Sequence, residues 1–261
     1  MEKVSGKWAL VTGASSGFGQ DFASLLAERG YDLVLVARRA VPMEVLATEL
    51  RSQHRVQVRV IAQDLASAAG ADALIATLAE QNIQIHTLIN NAGFGVFGEF
   101  TEQPYEKTEE MLQLNMLSLT RLTYGFARQM QQRGEGQILL VASIGGYQAT
   151  PFYAAYAASK AYVLLLGEAL NVEMAKYGVK VSVLSPGITA TGFLDVSGQK
   201  ATLYQRLMMM QSRPVAEIGL RAMFAGKPSV IPGIMNKLTI FSNRFAPRWL
   251  QAKIAASLMK N

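Results

Sequence analysis

Tyr156 and Lys160 stand four residues apart in Tyr156-Ala-Ala-Ser-Lys160, a spacing that puts both side chains on one face of a helix. An ammonium beside a phenol favours the phenolate and brings tyrosine towards a working pKa, so the pair suits proton transfer. A second cluster lies far upstream, Thr12-Gly13-Ala14-Ser15-Ser16-Gly17-Phe18-Gly19. Its glycines let the backbone turn sharply and approach a pyrophosphate, and a helix starting there offers unpaired N–H groups with partial positive charge. The spacing is G-x3-G-x-G and not G-x-G-x-x-G. A third cluster is Arg38-Arg39, after Val36-Ala37. Dinucleotide folds often carry an acid at this place for the ribose 2′-OH. Two guanidiniums suit a 2′-phosphate instead, which predicts NADP over NAD with Arg38 as the main contact.

These residues need elements to position them. Trp8–Thr12, Tyr31–Ala37, Val56–Ala62, Thr87–Asn90, Gln137–Ala142 and Lys180–Leu184 read as six short apolar strands. Helical patterns follow Gly19 and then cover Val41–Ser52, Ala71–Gln81, Thr108–Gln132 and Tyr153–Tyr177, since apolar residues recur there at helical spacing. Strands alternating with helices predict an α/β fold, a doubly wound parallel sheet with helices on both faces and right-handed crossovers. Pro214–Ala225 reads as a further helix and Ser229–Ile231 as a seventh strand. No internal repeat or linker interrupts residues 1–233, which are expected to form one domain.

Three further motifs keep a fixed order with the glycine loop: Asn90-Asn91-Ala92-Gly93 ends the fourth strand, Ser143 the fifth, and YAASK (156–160) lies in the following helix. With TGASSGFG (12–19), Asp64, Asn115 and PGITAT (186–191), the sequence resembles the short-chain dehydrogenase/reductase family over residues 8 to 191. The resemblance implies a Rossmann fold and an NADP(H)-dependent oxidoreductase acting on ketones, aldehydes or secondary alcohols. It implies that Tyr156 protonates the carbonyl oxygen, that Lys160 lowers its pKa and holds the nicotinamide ribose, and that Ser143 polarises the substrate oxygen. Asn115 would bind a water through a locally opened helix and complete a proton relay. Asp64 would hydrogen-bond the adenine beside Leu65, while Asn91, Ala92 and Gly93 would line the cofactor cleft. Pro186, Gly187, Ile188 and Thr191 would hold the carboxamide end. A homodimer or homotetramer, packed through the Asn115 and Tyr156 helices, is a further implication. The alternative is an NADP-sensing regulatory protein without turnover, which would need the glycine loop but not the Asn115, Ser143, Tyr156 and Lys160 set.

Composition narrows the field. The 261 residues include no cysteine and two histidines, so neither disulfides, thiolate chemistry nor a metal site is expected. The N-terminus lacks a charged and then apolar leader pattern, which predicts a cytoplasmic protein. Residues 1–217 hold 18 Lys+Arg and 19 Asp+Glu, whereas residues 218–261 hold seven basic residues and no acid. With no module that reads bases, nucleic acid is not an expected partner.

The substrate loop, 188–213, carries Phe193 and Met208-Met209-Met210. With Phe94, Val96, Phe97 and Phe152, these adaptable apolar side chains predict a hydrophobic or acyl substrate. The tail, 234–261, is read as part of the same domain. Ile234, Leu238, Phe241 and Phe245, then Leu250, Ile254 and Leu258, recur at helical spacing beside Lys237, Arg244, Arg248, Lys253 and Lys260. Packed helices show this period, so the pair is expected to pack on the domain, cover the pocket or join subunits. A basic amphipathic helix on an anionic membrane surface is the other reading. The ending is also similar to that of a branch with hydroxysteroid dehydrogenases and long-chain 3-oxoacyl reductases.

Overall fold

The computed structural model describes residue 4 and residues 6–259, without the side chains of Asp195, Leu203 and Tyr204; Lys260 of the basic tail lies outside this set. Strands β1 (Trp8–Thr12), β2 (Asp32–Ala37), β3 (Val58–Ala62), β4 (Ile85–Asn90), β5 (Gly136–Val141) and β6 (Val179–Leu184) alternate with helices. Those helices are α1 (Phe18–Ala27), α2 (Ala40–His54), α3 (Gly70–Glu80), α4 (Tyr105–Leu112), α5 (Leu119–Arg133) and α6 (Ala154–Ala175). The chain continues through β7 (Thr189–Ala190), α7 (Phe193–Ser197), α8 (Leu203–Met208), β8 (Met210–Gln211), α9 (Ser212–Phe224) and β9 (Ser229–Val230). It ends in α10 (Ile234–Ser242) and α11 (Arg248–Met259).

Seven strands form one sheet in the order β3-β2-β1-β4-β5-β6-β9, and every pairing is parallel. This is the doubly wound Rossmann arrangement. A parallel sheet is covered on both faces, which explains why its strands are continuous apolar runs. Successive residues feed opposite layers. Ala9, Val11, Leu33 and Leu35 pack with Phe22, Leu26, Met43 and Leu220 of α1, α2 and α9. Leu10, Val34, Val36 and Leu88 pack with Leu74, Leu122, Phe126 and Val163 of α3, α5 and α6. Chain order reverses between β3 and β4, so β1 and β4 lie side by side and their carboxyl ends open a crevice.

Two expectations need correction. The helix expected over Thr108–Gln132 begins at Tyr105 and is not uniformly α: between α4 and α5, Gln113–Ser118 winds as a π-helix. Such a widened turn arises where a residue is accommodated in the helix for a local contact, and Asn115 sits in it, fully buried. The tail helices do pack on the domain, but Ile234, Leu238, Phe241 and Phe245 face outward. Ile240, Ala255 and Leu258 turn inward, and polar side chains of the same segment make local hydrogen bonds. Asn236 donates to the Pro232 carbonyl at 2.8 Å, and Asn243 donates to the Gln148 side chain at 2.8 Å. Gln251 donates to the carbonyls of Asn243 and Ala246 at 2.7 and 2.8 Å. Helical period alone does not say which apolar residues turn inward and which outward.

Candidate active site

The loops after β1 to β6 meet in one cleft of about 510 Å3. At its first end the backbone turns at Gly13 (φ 69°) and Gly17 (φ 53°), a region that glycine enters without steric penalty. Space is equally restrictive, since a Cβ on Gly17 would lie 2.9 Å from the Thr191 Cβ and one on Gly13 2.8 Å from the Asn91 side chain. The start of α1 carries no side-chain cap, so its first N–H groups remain available to an anion. Ser15, Ser16 and Phe18 line this end. Gly19 does not line the cleft; a Cβ there would run into the Gly13 carbonyl, so this glycine packs α1 onto the loop.

Arg38 and Arg39 follow β2 into the same end. Arg38 donates to Glu110 at 2.9 Å, and Arg39 donates to the Ser15 hydroxyl at 3.3 Å. The Arg38 pair is largely exposed, and exposed pairs contribute about 0–1 kcal/mol, so a doubly charged ligand can compete for the guanidinium. Asp64 and Leu65 border the same region. One Asp64 oxygen accepts from the Ala66 N–H at 3.0 Å, which orders the turn after β3.

Thr12 at the end of β1 joins this end to the next, and reading the sequence had not singled it out as a site residue. Its buried hydroxyl accepts from the N–H groups of Asn91 and Ala92, both at 2.9 Å, while the Asn91 side chain donates to the Thr12 carbonyl at 2.8 Å. The Asn91–Gly93 strand end is thereby fastened to the glycine loop. Asn115 continues the chain of contacts. Its side-chain oxygen accepts from the Phe94 N–H at 3.2 Å, and its amide donates to the Phe94 carbonyl and the Ser159 hydroxyl, at 2.9 and 3.2 Å. Asn115 therefore lies behind the cleft wall, tying Phe94 to α6.

Ser143, Tyr156 and Lys160 line the middle of the cleft. Ser143 caps a short 3-10 turn, its hydroxyl accepting from the Gly145 N–H at 3.1 Å. That turn presses on α6 so closely that a Cβ on Gly146 would lie 2.8 Å from the Lys160 carbonyl group. Burial pushes the Tyr156 phenol above its usual range, while a hydrogen bond with Ser143 pulls the other way. Burial lowers the Lys160 ammonium to about 8. Its Nζ donates to the Val141 carbonyl at 2.8 Å and lies 5.8 Å from the Tyr156 ring centre. The raised phenol thus owes its direction to its own burial.

Beyond Tyr156 the cleft turns apolar. Phe193 of α7 packs against Tyr156 with ring centres 5.2 Å apart, and Tyr153 lies 5.5 Å from Tyr156. Phe94 and Met208 line the wall, whereas Phe97 stands behind it, 5.2 Å from Tyr153. Pro186, Gly187, Ile188 and Thr191 form the opposite rim, and the β7–β8 pair closes the base of the substrate loop. The tail helices complete the lining with Asn236, Thr239 and Ile240 of α10 and Ala255, Leu258 and Met259 of α11. A buried polar chain links loop to tail: Tyr153 bonds Ser197 at 2.8 Å and Gln199 at 3.0 Å, Gln205 donates to Gln199 at 2.9 Å, and Gln199 donates to the Met259 carbonyl at 3.4 Å. Sequence reading missed Gln199, Gln205 and Asn236, because a lone amide in a loop or helix carries no spacing signal.

Comparison with known proteins agrees with this architecture. A family model described as short chain dehydrogenase matches residues 7–201. The chain belongs to the short-chain dehydrogenase family. As a short-chain dehydrogenase it is an oxidoreductase of CH–OH groups. It is 32% identical over 186 residues to a 7beta-hydroxysteroid dehydrogenase from Clostridium sardiniense, covering 71% of this chain and 70% of the other. It is also 32% identical over 200 residues to a very-long-chain 3-oxoacyl-CoA reductase from Aspergillus fumigatus. That match covers 76% of this short-chain dehydrogenase but only 58% of the reductase. Among solved structures, a short-chain dehydrogenase from Sphingobium yanoikuyae in complex with NADPH superposes with a TM-score of 0.83 and 33% identity, over 92% of this chain and 93% of the other. In this chain the uncapped helix start, the crowded glycines and the paired arginines would fit the phosphates of such a nicotinamide cofactor.

Proposed function

We propose that this enzyme is an NADPH-dependent carbonyl reductase acting on a hydrophobic or acyl ketone or aldehyde, and in reverse on the secondary alcohol. The observation that carries the reading is the placement of Ser143, Tyr156 and Lys160 on one cleft with the glycine loop at one end and an apolar chamber at the other. Arg38 and Arg39, with no acid beside them after β2, support NADP(H) over NAD(H).

In this reading Gly13–Phe18 and the α1 N-terminus bind the pyrophosphate, and Arg38 the 2′-phosphate. Asp64 and Leu65 border the adenine, and Ala92, Gly93, Pro186–Ile188 and Thr191 flank the nicotinamide end. A nicotinamide held there would supply the hydride for the carbonyl carbon. Ser143 donates a hydrogen bond to the substrate oxygen and polarises it. Tyr156 delivers its proton to that oxygen, so that hydride and proton together make the alcohol. Burial holds this proton on the phenol until the oxygen becomes basic. Lys160 keeps its charge below about pH 8 and steadies the phenolate left behind. Asn115, bridging Phe94 and Ser159, positions α6 against the β4 loop and leads a proton route towards solvent.

The same proposal takes the chain as one domain, tail included, working in the cytoplasm. It assigns a homo-oligomer through the helices that carry Asn115 and Tyr156. Their outer faces hold Leu117, Tyr124, Leu165 and Val172, all exposed in the single chain.

The test is turnover. Purified protein is mixed with aliphatic, steroidal and 3-oxoacyl carbonyls while NADPH and NADH absorbance are followed in parallel. Oxidation of NADPH by a hydrophobic class is expected. Tight NADPH binding without turnover on any class would overturn the enzymatic reading, and use of small polar ketones alone would overturn the hydrophobic one.

A further inference from the structure

The tail helices each have two faces with different surroundings. Their inner faces line the cleft, while their outer faces and the turn between them expose Ile234 (68%), Phe245 (79%) and Trp249 (62%), together with Leu238, Phe241 and Ile254. A run of large apolar side chains left open to water on helices that already have a packed face marks an interaction site. Lys237, Arg244, Arg248 and Lys253 stand among them, all exposed. Among the described residues none of these four pairs with a carboxylate, and no acid occurs anywhere in residues 218–261. Arg244 stacks on Phe241 at 5.5 Å and Lys253 on Trp249 at 5.2 Å, so cation and aromatic ring occupy the same level of the surface.

We infer that the outer faces of α10 and α11 dock on an anionic phospholipid bilayer, with the apolar side chains entering the interface and the four cations meeting lipid phosphates. Charge decides between occupants. A second copy packed face to face would set cations against cations, because a two-fold contact brings a patch onto itself. An anionic surface complements every charge present, and Trp and Phe beside Lys and Arg are the side chains that favour the bilayer interface. Among the described residues no helix is long and apolar enough to cross a membrane, so the contact is peripheral. The proposal deepens the hydrophobic-substrate reading on which it partly rests, since the same two helices wall the chamber and would bring it against the phase in which such a substrate dissolves.

The experiment is co-sedimentation of the full-length protein with phosphatidylcholine vesicles, with and without phosphatidylserine. Binding is expected on the mixed vesicles, with marked weakening as salt is raised. Each basic residue near an anionic surface accounts for about a fivefold change in partition. The combined K237Q, R244Q, R248Q and K253Q variant should therefore lose at least about 100-fold while keeping its melting temperature and NADPH affinity. F245S with W249S should weaken binding on mixed vesicles as well. Equal binding to neutral vesicles, undiminished binding by the glutamine variant, or no binding at all would overturn the docking. So would sedimentation of the free protein as an assembly that F245S with W249S dissolves, which would assign the face to a second copy. If vesicles bind but a bilayer-dissolved long-chain ketone is not reduced, the docking stands and the substrate reading fails.

Discussion

Lys160 shows how far burial governs the reacting groups. Its pKa of about 8, against a usual 10.5, means that between these values the unfolded chain holds the proton more tightly than the folded one. Stability contributed by this residue therefore rises from pH 8 to 10.5, and the penalty of a buried charge is fully present below pH 8. A Lys160→Met variant lacks that penalty. Its stability relative to wild type should fall by roughly 3 kcal/mol across this window, measured by denaturant unfolding at several pH values; a constant difference would refute the shift. Tyr156→Phe removes the proton without altering the phosphate end. Reduction should drop by about 100- to 10,000-fold with NADPH affinity unchanged, and substantial residual turnover would indicate another donor. Arg38 tests the cofactor assignment. Because a hydrogen bond to a charged group contributes about 1.5–3 kcal/mol, Arg38→Ala should weaken NADPH by roughly 10- to 100-fold and NADH far less. Equal losses would undo the preference.

The elements explain why these side chains can meet. Gly17 lets β1 pass into α1 within contact of Thr191, which belongs to the loop after β6. Its φ of 53° and the Thr191 Cβ at 2.9 Å oppose a side chain for independent reasons. Gly17→Ala should force the glycine loop away from the opposite rim. An affinity loss above about tenfold is expected by titration, because strain of about 1–3 kcal/mol at such a position adds to the collision. Unchanged NADPH affinity would show that the rim yields freely. The π segment works in the same way at the other wall, since it brings Asn115 between Phe94 and Ser159 and fixes α6 relative to β4.

At the scale of the whole molecule the tail touches the sheet domain at several points, and we propose that the two unfold together. Gln199 reaches the Met259 carbonyl, and Gly187 lies so close to Asn236 that a Cβ there would be 2.5 Å from its amide nitrogen. Calorimetry should accordingly show one unfolding transition for the full chain. Removal of residues 234–261 should lower its midpoint by several degrees, as about 2–4 °C accompanies each kcal/mol in a domain near this size. Two separate transitions in the intact chain would mark the tail as a unit of its own.

The sequence by itself determined the main strands, their parallel arrangement and the family, because buried parallel strands are continuous apolar runs and a phosphate loop must hold glycine where the backbone turns. Nearly all of the residues named from the contiguous motifs at strand ends line the cleft, Gly19 and Asn115 excepted. Element edges were less legible: β3 starts at Val58 and not Val56, where apolar residues continue past the ladder, and β4 starts at Ile85 and not Thr87, because the strand runs on through the polar His86. What only the tertiary structure decided depends on neighbours distant in sequence. That Ile240, Ala255 and Leu258 line the cleft while Ile234, Leu238, Phe241 and Phe245 turn outward is decided by where the tail meets the domain. The direction of the Tyr156 pKa follows from how much protein surrounds the phenol. The linkage of Tyr153, Gln199, Gln205 and Met259 has no sequence period, because its members are brought together only by the fold.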